Sequence, residues 1–146
     1  MKELNSLTKP TTGVGTIILD LESNGLLNKA SCIHCVALHY CDDNLTETFN
    51  DEPISTQAKY LPMGNRSITT AITNIEVAET VVGHNIIGFD LPLIKKLYNF
   101  FTYPPVIVDT LLLSRLYHPN LYDIDKKHEW KDMPTKLYGS HSLEAY

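Results

Sequence analysis

No apolar run in the 146 residues approaches the roughly 18 that a membrane-spanning helix requires, and MKELNSLTKP at the start lacks the apolar centre of a signal peptide. A cytoplasmic location and no membrane partner are therefore expected. Cysteine is scarce: Cys32, Cys35 and Cys41 leave one thiol unpaired in any disulfide scheme, which suits a reducing compartment. The CIHC spacing at 32–35 resembles half of a zinc site, but no second ligand pair follows at suitable spacing. A strand with Cys35 as a small core residue is the better reading. Basic charge is in deficit, 12 lysines and arginines against 17 acids for a net charge of −5. That balance excludes a grip on duplex nucleic acid by broad phosphate neutralisation, so any nucleic acid must be held locally. Repeats, low-complexity tracts and Gly/Pro-rich linkers are missing too, leaving one domain's worth of chain.

What is present alternates and then turns helical. Residues 16–22 and 33–40 read as strands and 45–50 as a shorter polar one, separated by turn-like SNG and CDDN. After a PMGN turn at 62–65, the recurrence of Ile68, Ala71, Ile72, Ile75 and Ala78 predicts a helix over 67–79. TVVGHN reads as a buried strand. DLPLIKKLYNFF reads as a helix with Leu91, Ile94, Leu97, Tyr98 and Phe101 on one face and Pro92 in its first turn. VIVDT at 106–110 supplies a further strand and LLLSRLYHP a helix ended by Pro119. This order predicts an α/β fold, a mixed sheet whose later strands are parallel and helix-covered. Residues 119–139 are polar and aperiodic and read as a long loop; SHSLEAY reads as the cap, Ser140 or Ser142, and first turn of another helix.

The chemistry concentrates in acids at strand ends. Asp20 and Glu22 follow the aliphatic run TIIL, and side chains two apart on a strand share a face. Two charges about 6 Å apart in a partly buried setting repel by a few kcal/mol at an effective dielectric of about 20. Either one of them keeps a proton or a cation lies between them, and hard divalent ions take such oxygen ligands. Asp90, closing VVGHNIIGFD, has a similar address past a buried strand, where ligand sites of α/β sheets gather; it also suits a helix N-cap. Asp109 reads as an N-cap, Asp123 and Asp125 as solvated loop residues, and Trp130 with Lys126, Lys127 and Lys131 as a solvated surface. His84 follows a buried strand, and a core role and a substrate contact are equally open to it.

Three segments together resemble one family. LDLESNGLL resembles the first exonuclease motif of the proofreading domains of DNA polymerases, and VVGHNIIGFDLPLI the second. VDTLLLSRLYHPNLYD followed by YGSHSLEAY is similar to the stretch between the second and third motifs in family A polymerases of short-tailed phages. The resemblance covers nearly all of 16–146, so residues 1–15 are expected to be an N-terminal extension and 16–146 the domain. It implies a ribonuclease H-like fold, removal of nucleotides from a DNA 3′ end, and a place in the cytoplasm of a phage's host. It also implies two ions, Mg²⁺ or Mn²⁺, held by Asp20, Glu22 and Asp90. By the same resemblance Leu26 wedges against terminal bases, while Asn85 and Phe89 border the single strand. The family's third motif, on a last helix with a fourth carboxylate, is expected beyond Tyr146. A second polymerase chain is then the expected source of that helix; the competing expectation is a module that binds DNA or a polymerase without cutting.

Overall fold

The computed structural model describes residues 14–51, 67–128 and 130–145. A ten-residue central strand, β1 (Val14–Ser23), alternates as the sequence requires: Ile17, Leu19 and Leu21 are buried on one face, and Ile18, Asp20 and Glu22 are exposed on the other. It pairs antiparallel with β2 (Ile33–Tyr40), which pairs antiparallel with β3 (Leu45–Phe49) across a turn at 41–44. Asn44 closes that turn at φ 50, a left-handed conformation that Asn tolerates.

Helix α1 (Ile68–Val77) starts at Ser67, whose side chain accepts the Thr70 N–H. It ends two residues short of the predicted limit because Ala78 turns extended and pairs with Val14, opening β4 (Ala78–Gly83) without a linker. Ala78 is buried, as its periodicity suggested, but in the sheet. The PMGN turn lies outside the described residues.

β4 runs parallel to β1 and β5 (Val106–Asp109) parallel to β4, giving a five-stranded sheet in the order β3-β2-β1-β4-β5. Helix α2 (Asp90–Leu97) joins β4 to β5, with Pro92 in its first turn. It stops earlier than expected: Tyr98 leaves helical geometry, and Lys95 donates to the carbonyls of Asn99 and Phe101 at 2.8 and 2.7 Å. Phe101 is still buried, from the segment after the helix. Leu91, Leu93 and Ile94 join Ile68, Ala71, Ile72 and Ile75 against Ile17, Leu19, Val36, Leu38 and Val81, forming one core on one face of the sheet. Burial of these aliphatic groups is the main force holding the layers together.

This mixed, helix-flanked sheet is the ribonuclease H-like fold. β1 begins at Val14, two residues before the expected domain start. Cys35 is no core residue: it lies on the opposite face from Val36, half-buried opposite Glu22. Helix α3 (Thr110–Tyr117) buries no residue, leaving Leu112, Leu116 and Tyr117 exposed.

The segment read as a long loop contains a helix, α4 (Leu121–His128). Its anchor is Asp125, buried instead of solvated, whose carboxylate accepts the Trp130 indole N–H at 3.0 Å and the Gly139 N–H at 2.8 Å. The final stretch forms only a 3₁₀ turn at Leu143–Ala145. Among the described residues no helix is long and apolar enough to cross a membrane.

Candidate active site

Parallel strands β1, β4 and β5 end at one edge of the sheet, where loops leave after Ser23 and Gly83 and helix α3 starts directly after Asp109. Past Ile18, which aligns with Val82, β1 has no further ladder to β4, so its backbone on that side is free to receive other partners. Asp90 is buried at this opening, close enough to β1 for the N–H of Leu21, the residue between Asp20 and Glu22, to lower the pKa of its carboxyl group. It is not the N-cap of α2, since that position is Phe89 and has no side-chain cap; Asp90 is the first helical residue. The close approach of the loop after β4 to β1 depends on Gly83, where a Cβ would stand 3.0 Å from the Leu19 carbonyl oxygen and 2.9 Å from Ile86.

The electrostatics follow from that placement. Burial first, and the charges of Asp20 and Asp109 with it, push the Asp90 carboxyl up from 3.8 to about 7 against the pull of its own N–H and that of Leu21. Glu22 lies on the same open face of β1 as Asp20, and both charges help burial raise the Cys35 thiol. The structure thus brings Asp90 into the field of Asp20 and close to the Leu21 N–H of β1. It does not close the three into a cluster: among the described residues no group of three His, Cys, Asp or Glu converges tightly enough to hold a metal ion. In chemistry the donor set fits a hard divalent cation, all oxygen ligands with a repulsion that a cation would relieve.

Leu26 is 75% exposed, at the tip of a braced loop. The Asn24 side-chain oxygen Oδ1 accepts from the Ser31 and Cys32 N–H groups at 2.9 and 3.1 Å, and the Lys96 ammonium donates to the backbone carbonyls of Leu27 and Ala30 at 2.9 and 2.7 Å. Asn85 is exposed at φ 60. Phe89 is half-buried and packs against the core. His84 shares a 3.0 Å hydrogen bond with the Thr110 hydroxyl, which donates to the Gly83 carbonyl at 3.3 Å.

Sequence reasoning missed one residue of this edge. Asp109 caps α3 through the N–H groups of Leu111 and Leu112 at 2.9 and 3.3 Å, and also accepts from Asn85 and Ile87 at 3.0 and 3.1 Å. Its cap role is visible in VDT; its long-range bonds have no sequence signal.

Fold and edge define a ribonuclease H-like α/β domain with acidic side chains at the carboxyl end of its central strand. No protein-family model matches the chain. The DNA-directed DNA polymerase of Escherichia phage T7 is 32% identical over 139 residues, covering 89% of this chain and 18% of that protein. The corresponding polymerase of Enterobacteria phage T3 is 28% identical over 137 residues, with the same two coverages. Among solved structures, the apo form of a nuclease aligns over 90% of this chain and 59% of its own at 17% identity and a TM-score of 0.48. The family B DNA polymerase of Pyrobaculum calidifontis aligns over 61% of this chain and 11% of its own, at 16% identity and a TM-score of 0.38. Over about nine-tenths of its length the chain is thus similar to phage DNA polymerases, and it spans less than a fifth of the length of the phage enzymes it matches.

Proposed function

We propose that the domain removes nucleotides one at a time from the 3′ end of a single DNA strand, as the proofreading part of a phage-type DNA polymerase. The observation that carries this reading is the burial of the Asp90 carboxyl group at the strand ends, where it feels the charge of Asp20. Three acids that the chain separates by up to 70 positions thereby share one edge, at the carboxyl ends of parallel strands where α/β domains bind ligands.

Asp20, Glu22 and Asp90 are the residues that would hold two divalent ions, Mg²⁺ or Mn²⁺. Bound there, such ions neutralise developing charge on the phosphate and lower the pKa of an attacking water. The chain's own contribution is placement. With its pKa raised to about 7, Asp90 holds a fraction of a proton at neutral pH for which a bound cation would compete. Exposed Leu26, at the same edge, offers an apolar side chain against a terminal base, and Asn85 and Phe89 border the strand. Such contacts tolerate any base, which an editing site requires. The partners are a single-stranded DNA 3′ end and a polymerase chain that covers the exposed face of Ile18 and Val106.

A second reading, a module that docks on a strand end or a polymerase without cutting, is favoured by the spacing of the three acids, too wide among the described residues for one ion. A 5′-labelled single strand with Mg²⁺ or Mn²⁺ separates the two. Stepwise shortening by the parent, reduced more than about a hundredfold in Asp20→Ala, supports the exonuclease. Retention without shortening supports the module, and cuts within the strand contradict an end-specific enzyme.

A further inference from the structure

Asp109 is 5% exposed, and its carboxylate is used beyond a helix cap. Oδ1 receives the N–H groups of Leu111, Leu112 and Asn85, and Oδ2 receives that of Ile87. Two of these donors belong to its own helix; the other two lie 24 and 22 residues back, in the loop between β4 and α2. That loop is folded tightly on itself. Asn85 adopts φ 60, its carbonyl accepts the N–H groups of Gly88 and Phe89 at 3.0 and 2.9 Å, and a Cβ on Gly88 would stand 2.5 Å from its side-chain oxygen. Ile86 is fully buried, whereas Ile87 is 48% exposed. The His84–Thr110 hydrogen bond is a second strap between the same two segments.

We propose that Asp109 is a positioning residue: it holds the loop at 84–89 in the conformation that presents Asn85 and Ile87 to the single strand, with Ile87 a nucleobase contact. An aliphatic side chain so exposed on an otherwise pinned loop, at the edge carrying Asp20 and Asp90, has a base face as its natural partner. The proposal rests on the strand-binding reading given above.

Asp109→Asn separates the two functions of the side chain. An amide keeps one oxygen for Leu111, Leu112 and Asn85 and turns an N–H₂ toward the Ile87 N–H, so the cap survives and the distal anchor is lost. Amide hydrogen exchange in the folded variant, with fluorescence anisotropy of a labelled single-stranded oligonucleotide, reads both consequences. Exchange at Ile87 is expected to quicken about tenfold while Leu111 and Leu112 stay protected, and strand affinity to fall about tenfold, the scale of one hydrogen bond to a charged group. Ile87→Ala, which leaves the clasp intact, should weaken strand binding with exchange unchanged. Unaltered exchange at Ile87 in Asp109→Asn, or faster exchange with undiminished affinity, overturns the proposal. A parent protein that binds no strand at all contradicts the functional reading instead, and exchange at Ile87 still decides whether Asp109 holds the loop.

Discussion

A carboxyl group buried beside another carboxylate, as Asp90 is beside Asp20, keeps its proton to about pH 7 where an exposed aspartate loses it near 3.8. Between those values the folded protein binds a proton that the unfolded chain has released, so stability falls as pH rises through this window. The ceiling on that loss is about 4 kcal/mol, from the size of the shift. Thermal midpoints measured from pH 4 to 8 should therefore decline in the parent more steeply than in Asp90→Asn, which has no proton to lose at that position; parallel profiles would contradict it. Strand alternation makes Asp20 and Glu22 legible as a pair, and the buried strand before Asp90 makes its address legible. Asp125 and the second use of Asp109 escape such reading. Each depends in part on an N–H group brought in from 14 or more positions away, and an isolated Asp in a polar stretch looks the same whether solvated or anchoring.

At the level of elements, α2 links the acidic edge to the exposed Leu26. Its first residue is Asp90, and its seventh, Lys96, holds the carbonyls of Leu27 and Ala30. Lys96→Met keeps the aliphatic stem and removes the donor, leaving carbonyls that accept charge-assisted bonds without a partner. We expect a loss of about 1–2 kcal/mol in urea unfolding and faster proteolytic cleavage at 27–30, with Lys96→Arg recovering most of both; an unchanged cleavage rate would show that the Asn24 brace suffices. The elements themselves follow from periodicity, while their limits do not. Ala78 satisfies a helical pattern and a strand pattern alike, and its pairing with Val14 decides for the strand. Helix α4 was hidden because its only buried residue is charged.

For the molecule as a whole, the net charge of −5 limits how a strand can be held. With so few cations at the site edge, binding must rest on stacking, backbone contacts and divalent ions, so about two phosphates at most are neutralised by side chains. The logarithm of affinity should then fall with that of salt at a slope no steeper than about −1.5, whereas a steep slope near −5 would point to a basic groove that the described residues lack. The mixed, partly parallel sheet was legible from the succession of strand and helix patterns, since right-handed parallel crossovers leave few arrangements. The open face bearing Ile18 and Val106 was not, because exposure is a property of what packs on a strand and not of the strand's own residues.

Calorimetric titration of Mn²⁺ into the protein at pH 7, run in two buffers of different ionisation enthalpy, tests the shared cation site most directly. The account predicts saturable binding that releases roughly half a proton from Asp90, and loss of that binding in both Asp20→Ala and Asp90→Asn. Mn²⁺ heats that are absent in the parent, or that persist unchanged in both variants, would contradict it.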